Sequence, residues 1–257
     1  MRISLILALL ALCSTALAAD NPFSTSNAQQ VPSAVTAAAK KIFGKKASKK
    51  VARSPVPGLY EVIVGNGDVL YISRNGHHII AGRIFEASTG KNLTEERKNE
   101  LREEDNPRRK KAINAVDETE MVVFAPKGET KYTVNVFTDV DCGYCAKFHE
   151  ERKKLNEGGV KVRYLAFPRA GVKSNTYNTM VSVWCAADRQ QAMTDAKARL
   201  NVKLARCKNP VKDQLELGQS IGITGTPAMV LSDGELLPGY VPAEKLISLL
   251  EKKFGKK

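Results

Sequence analysis

The chain has 257 residues, 43% of them hydrophobic and 26% charged, a balance that excludes a largely disordered or fibrous protein and suits one large or two modest domains. Only one run, near the N-terminus, is apolar enough to enter a membrane, which excludes a multi-span protein. The net charge of +13 invites a nucleic-acid reading, but the basic clusters are not interleaved with base-stacking aromatics and no zinc-finger or RNP-like pattern accompanies them, so no nucleic-acid partner is expected.

Met1-Arg2 is a short positive segment, Ile3 to Leu12 an apolar run too short to span a bilayer, and Ala16-Leu17-Ala18 a small-x-small cleavage pattern. Residues 1–18 are expected to be a secretory signal peptide, cut after Ala18 or Ala19. Cys13 leaves with it, since Leu12 is too large for a lipobox. Four of the five cysteines then remain, in a chain sent to an oxidising compartment where disulfides persist. With no second apolar span, the mature protein is expected to be soluble.

Residues 19–89 read as a small α+β domain. Pro32 to Phe43 is a helix ended by Gly44. Seven Lys/Arg and no acid follow from Lys40 to Arg53; solvated faces, anionic membrane surfaces and acidic client chains are all compatible with that run. Strands are expected at Leu59–Val64, Val69–Ser73, His77–Ala81 and Arg83–Phe85. Gly65-Asn66-Gly67 and Asn75-Gly76 punctuate them, the latter a type I′ hairpin signal. His77 and His78 lack a Cys or carboxylate at ligand spacing and read as surface hairpin residues. A unit this small often relies on a partner, and its edge strands offer one route to self-association.

Residues 90–117 are expected to be a linker. Asn92 to Asp105 is a helix polar nearly all round, Asn106-Pro107 interrupts it, and a basic helical turn runs to about Val116.

From Glu120 the elements alternate. Strands are expected at Met121–Ala125, Tyr132–Phe137, Val160–Phe167, Ala228–Leu231 and Leu236–Tyr240. Helices are expected at Cys142–Leu155, within Ser174–Leu200, at Pro210–Ile221 and at Pro242–Phe254. The order β-β-α-β, a helical insertion, then α-β-β-α describes an α/β domain over 118–257.

Cys142-Gly143-Tyr144-Cys145 falls where a strand ends and a helix begins. The attacking species in disulfide exchange is a thiolate, and the free N–H groups and dipole of a helix N-terminus favour negative charge there. Cys142 is therefore expected to be acidified. Phe148 and Leu155 mark the apolar stripe of this helix. Cys142 lies roughly 120° or more from it and Cys145 roughly 60–80°, which predicts an exposed nucleophile, Cys142, and a more sheltered resolving thiol, Cys145. A zinc site would need two more ligands, and a plain structural disulfide is the other alternative. Cys185 and Cys207 lie 22 apart with no second Cys-x-x-Cys, and His149 is the nearby histidine. Redox chemistry fits best, with no metal and no cofactor.

These motifs resemble the DsbC/DsbG group of thioredoxin-fold disulfide isomerases. The likeness is carried by Phe137-Thr138-Asp139 ahead of the Cys-Gly-Tyr-Cys, by Val162 to Arg169, by Trp184-Cys185-Ala186 and by Gly222 to Ala228. Val69 to Ser73 with His78-Ile79-Ile80 resembles the N-terminal dimerisation domain of that group, and Gly-Tyr between the cysteines favours its DsbC side. The resemblance implies a thioredoxin-like C-terminal domain with a helical insertion, and a V-shaped homodimer on a shared N-terminal platform. It also implies Cys142 as nucleophile, a cis Pro227 that sets the Thr226 backbone beside the sulfurs, and a structural disulfide between Cys185 and Cys207. Misfolded disulfide-containing clients and a membrane reductase of the DsbD type are the implied partners, and the periplasm the implied location. A DsbA-like oxidase is disfavoured by Gly-Tyr and by the extra domain; a holdase chaperone acting without chemistry is the rival from another class. Two departures concern the site. Ala146 stands where members often have histidine, and Val136, six before Cys142, stands where thioredoxins keep a buried proton-accepting Asp. Another group must take the proton of Cys145. A third departure, Pro107, bends the linker.

Overall fold

The computed structural model describes residues 31–45, 47, 50–65 and 67–255. The expected signal peptide, Cys13 and Asn66 lie outside the described residues.

Among the described residues two compact units emerge, one of those up to Gly65 with Val69–Leu93, the other of Gly67, Asp68 and Thr94 onward. The first unit holds α1 (Ser33–Phe43), β1 (Val51–Arg53), β2 (Leu59–Val64), β3 (Asp68–Ser73) and β4 (Ile79–Ile80), with its strands in the order β1-β2-β3-β4. Val35 and Ala39, four apart on one face of α1, bury themselves against Tyr60, Val62 and Ile72 of the sheet. Gly44, at φ +84°, ends the helix.

Three local expectations are corrected here. Val51–Arg53 is an additional strand, antiparallel to β2 with Val51 opposite Val62; three residues inside a basic run carry too little alternation to stand out. The Asn75-Gly76 turn is not type I′, because Asn75 has no positive φ. The loop is wider: the Asn75 side chain accepts from the Ser73 hydroxyl and the His77 N–H, and Ser73 N bonds His78 O. Arg83–Phe85 is not a strand. Phe85 makes a single bridge to Asn92, because the chain turns back at once, with Glu86 N on Lys91 O and Leu93 N on Ile84 O.

The second unit opens with α2 (Leu93–Glu104) and α3 (Asn106–Asn114). α2 is polar and laced by pairs such as Arg102–Glu95. α3 is docked. Its Arg109 is buried, donating to Gly234 O at 2.9 Å and to Asp105 Oδ2 at 2.9 Å, while Ile113 joins the core. Pro107 sits in the first turn of α3, where a missing N–H is harmless.

A central sheet follows, built from β5 (Val122–Phe124), β6 (Tyr132–Thr138), β7 (Val160–Ala166), β8 (Ala228–Val230) and β9 (Leu236–Pro238) in the order β5-β7-β6-β8-β9. β6 and β7 are parallel, the other pairs antiparallel. Their side chains alternate between two cores: Val134, Val136, Val162 and Tyr164 face one, Phe137 and Leu165 the other. Helices α4 (Gly143–Glu150), α5 (Arg152–Glu157), α6 (Asn175–Trp184), α7 (Arg189–Lys197) and α9 (Ala243–Phe254) supply the first core, and α3 and α8 (Val211–Ser220) supply Ile113 and Leu215 to the second. Sheet and flanking helices form a thioredoxin-like domain with α6 and α7 as its insertion.

The helix expected over Cys142–Leu155 is broken at Glu151. There the Glu151 carboxylate accepts from the Tyr240 hydroxyl and from the first N–H of α9, and Arg152 donates to the His149 carbonyl at 3.1 Å. Tertiary bonds replace the helical ones at that point. Phe148 and Leu155 are both fully buried on the same stripe.

Candidate active site

β6 is the strand buried in the middle of the sheet, and it ends at Thr138. Asp139, Val140 and Asp141 turn the chain, and Cys142 is the N-cap of α4, with Ala146 N closing the first helical bond on Cys142 O at 3.0 Å. Gly143 and Tyr144 are the first two helical residues and Cys145 the third. The cysteine pair thus spans one turn at the positive end of a helix.

Cys142 is covered. It is 5% exposed, against 1% for Cys145, which overturns the expectation of an exposed nucleophile while keeping the order of the two. The cover comes from the Thr226–Pro227 loop. The Cys142 sulfur donates to the Thr226 carbonyl at 3.3 Å, and the Thr226–Pro227 peptide is cis. Thr226 Oγ1 is buried without a hydrogen-bond partner, a hydroxyl beside the sulfurs that favours the thiolate of either cysteine. Tyr144, 64% exposed, stacks on Tyr240, over whose ring Lys147 also lies.

The two thiols are tuned apart. Burial pushes Cys142 up, but the Thr226 hydroxyl, the backbone N–H and thiol of Cys145 and the Arg169 guanidinium together outweigh it and hold the group below the usual thiol value. Burial wins at Cys145 and holds it above that value, against Lys197, the Asp139 N–H and the Thr226 and Thr138 hydroxyls. Such a pair makes a ready nucleophile in front of a reserve thiol that stays protonated.

Charged groups behind the pair had not been singled out from the sequence. Asp139 is buried and accepts from Arg169 twice, from its N–H at 2.9 Å and its Nε at 3.0 Å. Asp141 accepts from the Thr176 hydroxyl. Lys197 ends α7 and lies buried beneath the site. The signal for it was present: Lys197 continues the apolar stripe of Ala192, Met193 and Ala196, where a solvated lysine has no place. His149, weighed above as a metal ligand, is held between the Tyr164 hydroxyl and Thr194 Oγ1, each at 3.1 Å. Burial, with Arg152 and Lys197 nearby, pushes it down to about 3.

Cys185 and Cys207 are joined in a disulfide with Cα atoms 5.6 Å apart, while Cys142 and Cys145 are free thiols. The bond ties the end of α6 to the segment before α8.

A family model described as a thioredoxin-like domain matches residues 118–254, and another, the disulfide bond isomerase protein N-terminal domain, matches residues 26–95. The thiol:disulfide interchange protein DsbC of Salmonella typhimurium is 39% identical over 204 residues, covering 79% of this chain and 81% of that one. The chain belongs to the DsbC family. DsbC of Escherichia coli K12 matches to the same extent, 39% over 204 residues, 79% of this chain and 81% of that one. A crystal structure of the disulfide interchange protein from Neisseria gonorrhoeae is 28% identical with a TM-score of 0.48, covering 55% of this chain and all of that one. The protein is therefore a thiol–disulfide oxidoreductase, with the DsbC N-terminal domain ahead of a thioredoxin-like domain. Among the described residues no helix is long and apolar enough to cross a membrane. In this DsbC-family chain, Ala146 and Val136 leave the cysteine pair without a neighbouring histidine or a buried strand acid, and Asp139, Arg169 and Lys197 are the charges that surround it.

Proposed function

We propose that the protein is a periplasmic disulfide isomerase that works on misfolded exported proteins. The observation that carries this reading is the placement of Cys142 at the N-cap of α4, one turn ahead of the more deeply buried Cys145. The Cys142 thiolate attacks a non-native disulfide and forms a mixed disulfide with the client. A second client thiol then displaces it, which shuffles the bond, or Cys145 does, which reduces the client and leaves Cys142–Cys145 oxidised. Gly143 and Tyr144 supply the helix N-terminus and an exposed ring next to the nucleophile. The Thr226 backbone, before Pro227, offers a pairing edge to an extended client chain.

The remaining parts of the reading rest on the family. Residues 1–18 act as the signal peptide, 19–89 as a dimerisation domain, 90–117 as the linker and 118–257 as the catalytic domain. The Cys185–Cys207 bond is structural. A homodimer presents two arms to one client, and the second arm raises the effective concentration around a captured, partly unfolded chain, which also supports chaperone activity. A membrane reductase of the DsbD type returns the pair to the dithiol.

Refolding of a scrambled multi-disulfide protein tests this directly. We expect full activity from the intact chain, loss of shuffling in C142A with part of its suppression of aggregation retained, and reduced activity from a chain starting near residue 115. Unchanged refolding with C142A refutes the catalytic assignment, and equal activity of the shortened chain refutes the two-arm argument.

A further inference from the structure

Resolution of the mixed disulfide requires a destination for the Cys145 proton, and Val136 offers none. Lys197, on α7, reaches the same face of β6, two residues further along at Thr138. It is 5% exposed, and its Nζ donates to Thr138 Oγ1 at 2.6 Å and to the Asp139 carbonyl at 2.7 Å. The Thr138 hydroxyl, fully buried at the end of β6, and the Lys197 ammonium both favour the ionised form of Cys145. Amine and hydroxyl, bonded to one another, are thus both close enough to act on the charge of the resolving thiol.

We propose that Lys197, presented by the helical insertion, is the proton acceptor for Cys145, with the Thr138 hydroxyl as the relay between them. Two protonation states satisfy the same three groups. With the thiolate, the ammonium donates to Thr138 and Thr138 donates to sulfur; with the thiol, sulfur donates to Thr138 and Thr138 donates to the neutral amine. Burial pulls Lys197 down to about 8, against the attraction of Cys145, Asp139, Cys142 and Asp141, so an amine that ordinarily keeps its proton can release and take it up near neutral pH, while burial keeps Cys145 protonated until it is called on. The other charges facing this pocket are accounted for: Asp139 is held by Arg169, Asp141 by Thr176, and His149 is neutral. Arg152, beside His149, remains a cation.

In the mixed disulfide, Cys142 Sγ is bonded to a client sulfur. The Cys145 proton passes to Thr138 Oγ1 as the Thr138 hydroxyl proton passes to Lys197 Nζ. The Cys145 thiolate attacks Cys142 Sγ, the Cys142–Cys145 bond forms, and the Cys142–client bond breaks. Its electron pair leaves with the client sulfur, which takes a proton from solvent. The enzyme dithiol is oxidised by two electrons and the client disulfide reduced by two. This step rests on the exchange reaction proposed above.

Stopped-flow reaction of the reduced full chain with 5,5′-dithiobis(2-nitrobenzoate) separates the two thiols. The first thionitrobenzoate reports attack by Cys142, the second its displacement by Cys145. In K197M, and in T138V where the lysine remains, the second phase is expected to slow at least tenfold more than the first at pH 7. Its pH midpoint should rise by at least one unit in both, with unchanged near-UV signal from Trp184 showing that the fold is kept. K197R, which retains charge but cannot release a proton at these pH values, should lose the wild-type pH profile of the second phase. Unaltered relative rates and midpoint in K197M and T138V overturn the relay. Absence of the first phase in the wild-type chain overturns instead the exchange chemistry on which the relay rests.

Discussion

Arg169 grips the buried carboxylate of Asp139 with two donors, its own N–H and its Nε, and so fixes a cation next to the cysteine pair. That cation is one of the groups holding Cys142 below its usual value. The guanidinium is half exposed, so solvent screens it and its effect is modest. We expect R169Q to raise the Cys142 midpoint and to slow the first thionitrobenzoate release at pH 6 by two- to fivefold, about 0.4–1 kcal/mol. An unchanged rate would mean that the helix terminus and hydrogen bonds alone set the thiolate.

His149 gives stability a pH dependence of known sign. Its folded value, about 3, lies below the ordinary 6.5 because burial opposes the charge. The unfolded chain therefore binds a proton that the folded chain refuses, so stability is present in full above about 6.5 and is lost as the pH falls toward 3, by about 1.4 kcal/mol per unit. Urea unfolding of wild type and H149Q from pH 7 to pH 4 should show the variant less stable at pH 7 and its slope shallower by about that amount.

How far the sequence anticipates this site differs from residue to residue. Val134, Val136 and Phe137, and the alternation of Val160, Val162 and Tyr164 with Lys161 and Arg163, read correctly as strands; the break from β6 into a helix at Cys142 was equally plain. A helical wheel, however, sees only its own helix. It placed Cys142 away from the Phe148 stripe and missed that a loop 84 residues further on, at Thr226, covers it. Lys197 carried a mixed signal: it continues the apolar stripe of α7, but a lysine in the last turn of a helix also looks like a favourable dipole contact, and its burial depends on Thr138 and Asp139, which lie far away in the chain. The bend at Glu151 depends likewise on Tyr240 and the start of α9.

The Cys185–Cys207 bond closes a loop with a sequence separation of 22. In the chain-entropy model such a loop contributes roughly 3 kcal/mol. The double variant C185A/C207A should lose about that much in urea unfolding, while both free thiols still react.

Gly234 has φ +94°, and a Cβ there would run into the carbonyl of Asn106 at the start of α3. G234A should therefore cost at least about 2 kcal/mol and speed hydrogen exchange in Asn106–Asn114, since Arg109 would lose its hold on the Gly234 carbonyl. Equal exchange in both chains would show that the docking of α3 does not depend on this turn.

The most direct measurement is iodoacetamide alkylation of the reduced chain between pH 5 and pH 9, with the modified cysteine located by mass spectrometry. We expect Cys142 to be labelled first, with a midpoint below that of a free thiol, and Cys145 to stay unlabelled until well above it. Labelling of Cys145 at a comparable rate, or a Cys142 midpoint at or above the ordinary thiol value, would contradict the division of roles between the two sulfurs.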